Sequence, residues 1–132
     1  MDAGTRGFVR TRAGDRCEYC LLRQDQTGLA HHVEHIIARQ HGGGDDPDNL
    51  ALACNRCNVC KGPNLTGIDA DTSALVPLFH PRQDAWDEHF EFQQARIVGR
   101  TPRGRATVHV LQMNDERRLE RRAELLALGE LP

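Results

Sequence analysis

The sequence predicts an α+β fold in which a small core of one β-hairpin and one helix is held by zinc and is followed by a second hairpin and a helical extension. Two Cys-x2-Cys pairs, separated by 33 residues, can supply four thiolates to one metal ion. A β-branched segment lies between the pairs, and a short helical segment begins at the second pair. Only six aromatic residues occur among 132, so a metal would add stability to a thin apolar core.

The elements of the core follow one another as local patterns. We predict, in chain order, a helix at residues 4–14, a strand at 32–37, a turn at 42–48, a strand at 50–53 and a helix at 55–61. β-Branched residues favour the first strand, and the short apolar segment at 50–53 is expected to pair with 33–37 as a hairpin. The Gly/Asp-rich turn excludes regular structure, and Gly62-Pro63 ends the helix.

The second half of the chain predicts another hairpin and two more helices. The hairpin is expected from residues 89–93 and 95–98, and Thr101-Pro102 is a helix-start signal. Asn114 is predicted to cap a last helix that runs to about residue 128, with an apolar face formed by Leu119, Ala123 and Leu126. We expect one domain over 1–132, with the metal-held core at 14–66 and an extension at 67–132 that packs on it.

Charge is distributed unevenly along the chain. The net charge of −2 and the pI of about 6.4 argue against a protein whose whole surface binds polyanions. Residues 67–94 carry one Arg against six acids, a net of −5, whereas 95–122 carry eight Arg against three acids, a net of +5. The arginines either form a solvated helix face or a basic strip that meets a phosphate backbone. Under the second hypothesis, the outer face of the last helix presents four residues to nucleic acid: Arg117, Arg118, Arg121 and Arg122.

The sequence offers no membrane segment. No apolar run approaches the roughly 20 residues of a transmembrane helix, and the first residues contain no apolar stretch typical of a secretory signal. We therefore expect a cytoplasmic protein without membrane contact. In that compartment paired cysteines usually indicate metal or redox chemistry rather than disulfides.

The five cysteines predict a structural zinc site. Cys17, Cys20, Cys54 and Cys57 make a four-thiolate set without an open position, which suits structural Zn²⁺ better than catalysis. Cys60 forms a further Cys-x2-Cys pair with Cys57 and is an alternative ligand. We favour the first four because 54 and 57 bracket the junction of strand and helix. A redox dithiol, or cysteines that are simply buried, are the alternatives.

Other polar residues of the same segment predict a second, catalytic site. If the two core strands pair, the first turn of the following helix brings Asn58 towards Glu34 and His35. A carboxylate and an amide oxygen can share a hard cation such as Mg²⁺. A neutral histidine beside such a cation can accept a proton from water. Taken singly, these residues would more often be a surface acid and a hydrogen-bonded core histidine.

Taken together, the motifs resemble the HNH endonucleases, which have the ββα-metal, treble-clef-like fold. The resemblance covers about residues 15–63 and rests on Cys17-x2-Cys20, His32-Val33-Glu34-His35-Ile36-Ile37, Gly42-Gly43, Asn49-Leu50 and Cys54-x2-Cys57-Asn58-x2-Lys61-Gly62. Residues 78–107 are similar, with fewer shared motifs, to the tail of small, stand-alone bacterial HNH proteins. Asn58 in place of the more frequent His places the chain with the His-Asn-Asn variants of the family.

The resemblance implies a role for each matching residue. His35 falls on the general base, Glu34 on an acidic metal ligand that is more often Asp, Asn49 on the residue that braces the loop and orients the base, and Asn58 on the second metal ligand. The implied reaction is phosphodiester hydrolysis with a single Mg²⁺ or Mn²⁺, leaving 5′-phosphate and 3′-hydroxyl ends, with zinc structural only. Double-stranded DNA is the expected substrate, and Arg39 and Lys61 are candidate phosphate contacts.

Two non-catalytic functions compete with the nuclease. A zinc-stabilised nucleic-acid-binding module or a protein-interaction module would keep the cysteines without requiring Glu34, His35 and Asn58 together. Their joint presence favours the enzyme. The weak net charge also leaves room for a homodimer or a protein partner that completes a larger basic surface.

Overall fold

The computed structural model describes all residues, 1–132, and divides them into two compact units. The first comprises Met1–Leu65 with His80–Asp84, and the second Thr66–Phe79 with Ala85–Pro132. The division after Leu65 lies close to the predicted boundary of the metal-held core, whereas the sequence did not predict that His80–Asp84 belongs to the first unit. Packing of the extension on the core stays a prediction.

The first unit consists of two α-helices, one antiparallel hairpin and three short 3₁₀-helices, one of which, Pro47–Asn49, lies in the turn where the sequence predicts no regular structure. Its α-helices and strands are α1 (Ala3–Ala13), β1 (His32–His35), β2 (Leu50–Ala53) and α2 (Asn55–Lys61). Asp2 begins α1 by accepting a hydrogen bond from Thr5 N at 2.7 Å, and Gly14 ends it in the left-handed conformation, with φ of 62°. The predicted α+β class is confirmed, and the core elements lie where their local patterns place them.

The hairpin is the centre of the first unit. β1 and β2 pair so that His35 lies opposite Leu50 and His32 opposite Ala53. Every residue of β2 is buried, and Leu50 and Leu52 form a small apolar core with Val9 of α1. This hairpin joins the two cysteine pairs, because β1 follows the first pair in the chain and β2 runs directly into the second.

The second unit contains two further hairpins and three helices. Its elements are β3 (Thr66–Ile68), β4 (Leu75–Pro77), α3 (Trp86–His89), β5 (Phe90–Gln93), β6 (Arg96–Gly99), α4 (Pro102–Val110) and α5 (Glu116–Ala127). The predicted hairpin at 89–98 is present as β5 paired with β6. Thr101 begins α4 by accepting a hydrogen bond from Gly104 N at 3.0 Å.

A buried ion pair ties α4 to the hairpin of β3 and β4. Asp69 is fully buried and accepts two hydrogen bonds from the Arg105 guanidinium, at 2.8 and 3.1 Å, and one from the Thr72 hydroxyl at 2.7 Å. Hydrogen bonds from Arg105 lower the pKa of the Asp69 carboxyl well below its ordinary value.

The last helix differs from the sequence prediction in its first residue and in its buried face. Asp115, not Asn114, caps α5 by accepting a hydrogen bond from Arg118 N at 3.0 Å. Asn114 instead bonds both backbone groups of Ile97, at 2.9 and 2.7 Å. The predicted apolar face is wrong, because Ala123 and Leu126 are exposed and Leu119 is only partly buried. Two of the arginines are buried in their place.

Arg118 and Arg122 are buried because they supply donors to carbonyl groups just beyond the end of α4 and in the turn between β5 and β6. Arg118 Nη1 donates to Leu111 O at 2.8 Å. Arg122 donates to Ala95 O at 2.6 Å and also to Met113 O. These carbonyls have no partner within a helix, and a guanidinium offers five donors on an apolar stem. The prediction that Arg118 and Arg122 lie on the outer face is therefore wrong, whereas Arg117 and Arg121 are exposed.

None of the helices combines the length and the apolar composition needed to cross a membrane.

Candidate active site

Four buried cysteines of the first unit form a compact sulfur cluster. Their Sγ atoms all lie within 4.8 Å of one another, and Cys20 Sγ lies 3.7 Å from Cys54 Sγ. A tetrahedral site with Zn–S bonds of about 2.3 Å requires sulfur atoms about 3.8 Å apart. The backbone N–H groups of Cys20 and Cys57 each point to the first sulfur of their own pair at 3.5 Å. The donor set and its spacing fit a structural zinc ion.

Cys60 lies outside this cluster and is partly exposed. Cys60 lies almost one turn of α2 after Cys57, so its side chain is displaced along the helix from the sulfur cluster. Cys54 and Cys57, at the start of the helix, belong to the cluster. Burial raises the pKa of the Cys17 and Cys57 thiols. Zinc must therefore displace protons from these thiols when it binds, which makes the affinity of the site dependent on pH.

A cleft on the first unit brings four of the predicted site residues together. It has a volume of about 490 Å³, and its walls come from the end of β1, the segment after it and the last turns of α2. The predicted residues that line it are Glu34, His35, Arg39 and Asn58. Asn49 does not line the cleft.

The Glu34 carboxylate is buried between two donors. Its Oε2 accepts a hydrogen bond from Lys61 Nζ at 3.0 Å, and its Oε1 accepts one from the Tyr19 hydroxyl. Tyr19 lies between the first two cysteines and is fully buried. Burial raises the pKa of Glu34 above its ordinary value, although Lys61 and Tyr19 both favour the ionised form. The site therefore holds a largely desolvated carboxylate whose charge depends on its partners.

Lys61 is a structural partner of this carboxylate rather than a surface cation. Its side chain is 2% exposed and donates also to Ile36 O at 2.9 Å and to His35 O at 3.3 Å. The prediction that Lys61 contacts phosphate is therefore wrong, because its three donors are already used inside the fold. Lys61 fixes the end of β1 and the orientation of Glu34 at once.

His35 is held by an acid that the sequence interpretation missed. Its Nε2 lies 2.7 Å from Asp45 Oδ1, and the same oxygen accepts a hydrogen bond from Arg39 at 2.7 Å. The other oxygen of Asp45 lies 3.3 Å from the amino group of Met1. The hydrogen bond from His35 lowers the pKa of Asp45 to about 2. The Gly/Asp composition of the turn at 42–48 was the only sequence signal of this partner.

Asn49 closes the loop between the two strands of the hairpin. Its Nδ2 donates to Ile37 O at 3.0 Å and to Gly44 O at 2.9 Å, and its Oδ1 accepts from Ile37 N at 2.9 Å. Gly43 lies so close that a Cβ there would overlap the Ile37 carbonyl and stand 2.8 Å from Asn49 Nδ2. These contacts are those of a loop brace, and a catalytic role for Asn49 stays a prediction.

A carboxylate and an amide, groups whose oxygens bind hard divalent cations, both line the cleft. Glu34 offers carboxylate oxygens that each keep a second lone pair beside their hydrogen bonds, and Asn58 offers an amide oxygen on the same cleft. Mg²⁺ commonly takes one or two protein oxygens and fills its other positions with water and phosphate. The cleft is wide enough for these additional ligands.

Comparisons with known proteins agree with the sequence motifs. Residues 17–64 match the HNH endonuclease family. The chain is 27% identical over 114 residues to Septu protein PtuB of Bacillus thuringiensis, a match that covers 81% of this chain and 40% of that protein. It is 23% identical over 146 residues to Septu protein PtuA of Bacillus mycoides, covering 89% of this chain and 20% of that protein. The chain thus spans less than half the length of either relative. No solved structure matches.

Proposed function

Because residues 17–64 form a domain of the HNH endonuclease family, we propose that this protein is a metal-dependent endonuclease that hydrolyses phosphodiester bonds, with double-stranded DNA as its substrate. One observation carries the proposal: a single cleft is lined by a histidine, His35, and by two oxygen donors, Glu34 and Asn58. A base and a cation site side by side are what in-line attack of water on a phosphodiester requires.

His35 is the general base in this proposal. Its Nε2 lies 2.7 Å from Asp45 Oδ1, so in this proposal Nε2 carries the imidazole proton and Nδ1 is the basic nitrogen. Nδ1 takes a proton from a water molecule, whose oxygen forms a bond to phosphorus as the bond to the 3′ oxygen breaks. The products are a 5′-phosphate and a 3′-hydroxyl, the latter protonated from solvent.

Glu34 and Asn58 would hold Mg²⁺ or Mn²⁺. When bound, the cation supplies positive charge that stabilises the phosphate oxygens and the leaving 3′ oxygen. Lys61 and the Tyr19 hydroxyl keep the Glu34 carboxylate oriented. Asn49 keeps the loop closed and thereby supports the base. The zinc site holds the hairpin to α2 and takes no part in the reaction.

Contacts to the nucleic acid backbone are assigned to exposed arginines. The Arg39 side chain is 65% exposed at the rim of the cleft, and Arg117 and Arg121 are exposed on α5. If Arg117 and Arg121 bind phosphate, replacing both by Ala should weaken DNA binding. The slope of log K against log salt concentration should then become less steep by about one for each lost contact. An unchanged affinity across a salt series would exclude them. A second protein or a second copy of the chain would complete a larger basic surface.

Nicking of supercoiled plasmid tests the proposed activity. The wild type, His35→Ala and the control His32→Ala are compared with Mg²⁺, with Mn²⁺ and with EDTA. His32 lies on the same strand as His35 and is exposed. His32→Ala therefore removes an imidazole from the same strand without removing the proposed base. We expect cation-dependent nicking by the wild type and by His32→Ala, and a loss of about 10²–10⁴-fold for His35→Ala, the usual contribution of a general base.

The opposite outcome would favour a different function. If the folded, zinc-loaded wild type binds DNA in a salt-dependent way but cleaves none of the substrates offered, a zinc-stabilised binding module becomes the better account. Nicking at an equal rate by His35→Ala would place the base elsewhere. Zinc content and circular dichroism of each variant show that it is folded before its activity is compared.

A further inference from the structure

Asp45 contacts the proposed base from a loop that the rest of the fold holds in place. Its Oδ1 lies 2.7 Å from His35 Nε2, although the two residues are ten positions apart. Asp45 directly follows Gly44, whose carbonyl accepts a hydrogen bond from Asn49 at 2.9 Å. Asn49 also bonds both backbone groups of Ile37. The loop that carries Asp45 is therefore closed at both ends by one amide side chain.

The chemistry of the pair determines which nitrogen of His35 is basic. An ionised carboxylate has no proton to donate, so it selects the tautomer that carries the proton on Nε2. Only the other nitrogen, Nδ1, can then accept a proton from water. An imidazole without this partner would exchange between its two tautomers, and part of the population would present an N–H where the base must act.

We infer that Asp45 is a positioning residue that fixes the tautomer and the ring orientation of His35. The catalytic part of this inference rests on the proposed function, whereas the tautomer of His35 can be measured without any substrate. Asp45 is not a metal ligand in this account, because its acceptor oxygen is directed to Nε2 and it does not line the cleft.

The competing account is that Asp45 serves only as an ion-pair partner of Arg39 and of the Met1 amino group, which lies 3.3 Å from its other oxygen. Arg39 Nη2 lies 2.7 Å from Asp45 Oδ1, but the arginine side chain is 65% exposed and the Asp45 side chain 37% exposed. Such exposed pairs contribute about 0–1 kcal/mol and are screened by salt. Replacing Arg39 by Gln should therefore leave the tautomer of His35 unchanged.

Nitrogen-15 NMR of the histidine rings is the direct test. The zinc-loaded full chain is studied without Mg²⁺, and the pH is raised until the nitrogen-15 shifts of His35 show a neutral ring, whose tautomer they then identify. We expect His35 of the wild type to carry its proton on Nε2 only. Asp45→Ala should produce a mixture of tautomers, whereas Asp48→Ala, which removes the same charge from the same loop, should not. A wild-type His35 with its proton on Nδ1, or an Asp45→Ala protein with an unchanged tautomer, would overturn the inference.

Steady-state nicking supplies the second measurement. Loss of a residue that orients another group typically costs about 10–100-fold, and we expect Asp45→Ala to lower kcat by this factor with little change in KM. Equal kcat values for the wild type and Asp45→Ala would overturn the catalytic part. If the wild type itself does not cleave, the proposed function fails while the tautomer measurement still decides the positioning role. If Asp45→Ala loses its zinc, Asp45→Asn is used instead. The second tautomer of His35 is then expected at a smaller population than in Asp45→Ala.

Discussion

The buried pair of Glu34 and Lys61 gives a quantitative prediction for stability. The side chains are 6% and 2% exposed, and the Nζ–Oε2 distance is 3.0 Å. Replacing Lys61 by Met fills a similar volume without charge and leaves the carboxylate buried with only the Tyr19 hydroxyl beside it. Two backbone carbonyls, those of His35 and Ile36, lose their donor as well.

The expected cost follows from the desolvation of the remaining group. Removing one partner of a buried pair costs about 3–5 kcal/mol, because the other charge stays buried without compensation. Burial already raises the pKa of Glu34, so in Lys61→Met this carboxyl can take up a proton, which keeps the cost near the lower limit. In the double variant Glu34→Gln/Lys61→Met neither charge is present. The loss of unfolding free energy in the double variant should be smaller than the sum of the two single losses by about 2 kcal/mol or more.

Urea unfolding at neutral pH with Zn²⁺ in excess measures this coupling. The three variants are compared with the wild type, and Arg23→Met serves as the control because it breaks an exposed pair with Asp25, whose side chains are 35% and 74% exposed. The control should lose less than about 1 kcal/mol. The reasoning would be refuted if the losses of unfolding free energy for Glu34→Gln and Lys61→Met were additive, or if Lys61→Met lost less than about 1 kcal/mol. Either result is typical of an ion pair that is exposed to water.

Three further predictions concern the loop, the zinc site and the second unit. Gly43→Ala should lower the free energy of unfolding by about 2–4 kcal/mol and reduce nicking, because the added Cβ overlaps backbone atoms. Gly44→Ala, whose Cβ meets nothing within 4 Å, should be tolerated. Equal stabilities of the two variants in urea would contradict this. Cys57→Ser should lose the bound zinc and Cys60→Ser should keep it; loss from both purified variants would make the assignment wrong. Hydrogen bonds from a guanidinium on α4 hold the pKa of Asp69 below its ordinary 3.8, so its contribution to stability is complete above pH about 4 and is lost as the pH falls below it. Asp69→Asn should therefore have a flatter stability curve than the wild type between pH about 4 and 2, and parallel curves would contradict this.

The parts of the molecule that depend on neighbouring residues in the chain could be predicted from the sequence. Helix α2 begins at a cysteine cap and ends at Gly62, and both signals lie within the segment itself. The hairpin of β1 and β2 follows from a β-branched segment and a short apolar segment on either side of a Gly/Asp turn. The grouping of four cysteines follows from their spacing, because two Cys-x2-Cys pairs are a common ligand set of structural zinc.

The errors concern long charged side chains whose partners lie far away in the sequence. The position of Lys61 within the motif predicts a phosphate contact, yet Lys61 pairs in the interior with Glu34, 27 positions earlier. Arg118 and Arg122 were assigned to solvent because they lie opposite an apparent apolar face. Of the carbonyls that they bind, those of Leu111 and Met113 become available because α4 ends at Val110, whereas that of Ala95 lies in the turn between β5 and β6. A hydrophobicity pattern cannot show an acceptor that a helix end creates.

The placement of Tyr19 between Cys17 and Cys20 connects the cysteine cluster to the cleft that holds Glu34. Its hydroxyl, which orients the Glu34 carboxylate, is held by the same turn of chain that carries Cys17 and Cys20. Removing zinc would release this turn and with it the orientation of the carboxylate in the cleft. If the cleft holds Mg²⁺ as proposed, a chelator such as EDTA therefore acts on both sites at once. Readdition of Mg²⁺ alone, and of Mg²⁺ with Zn²⁺, to the chelated protein separates the cation used in cleavage from the cation that keeps the cleft in shape.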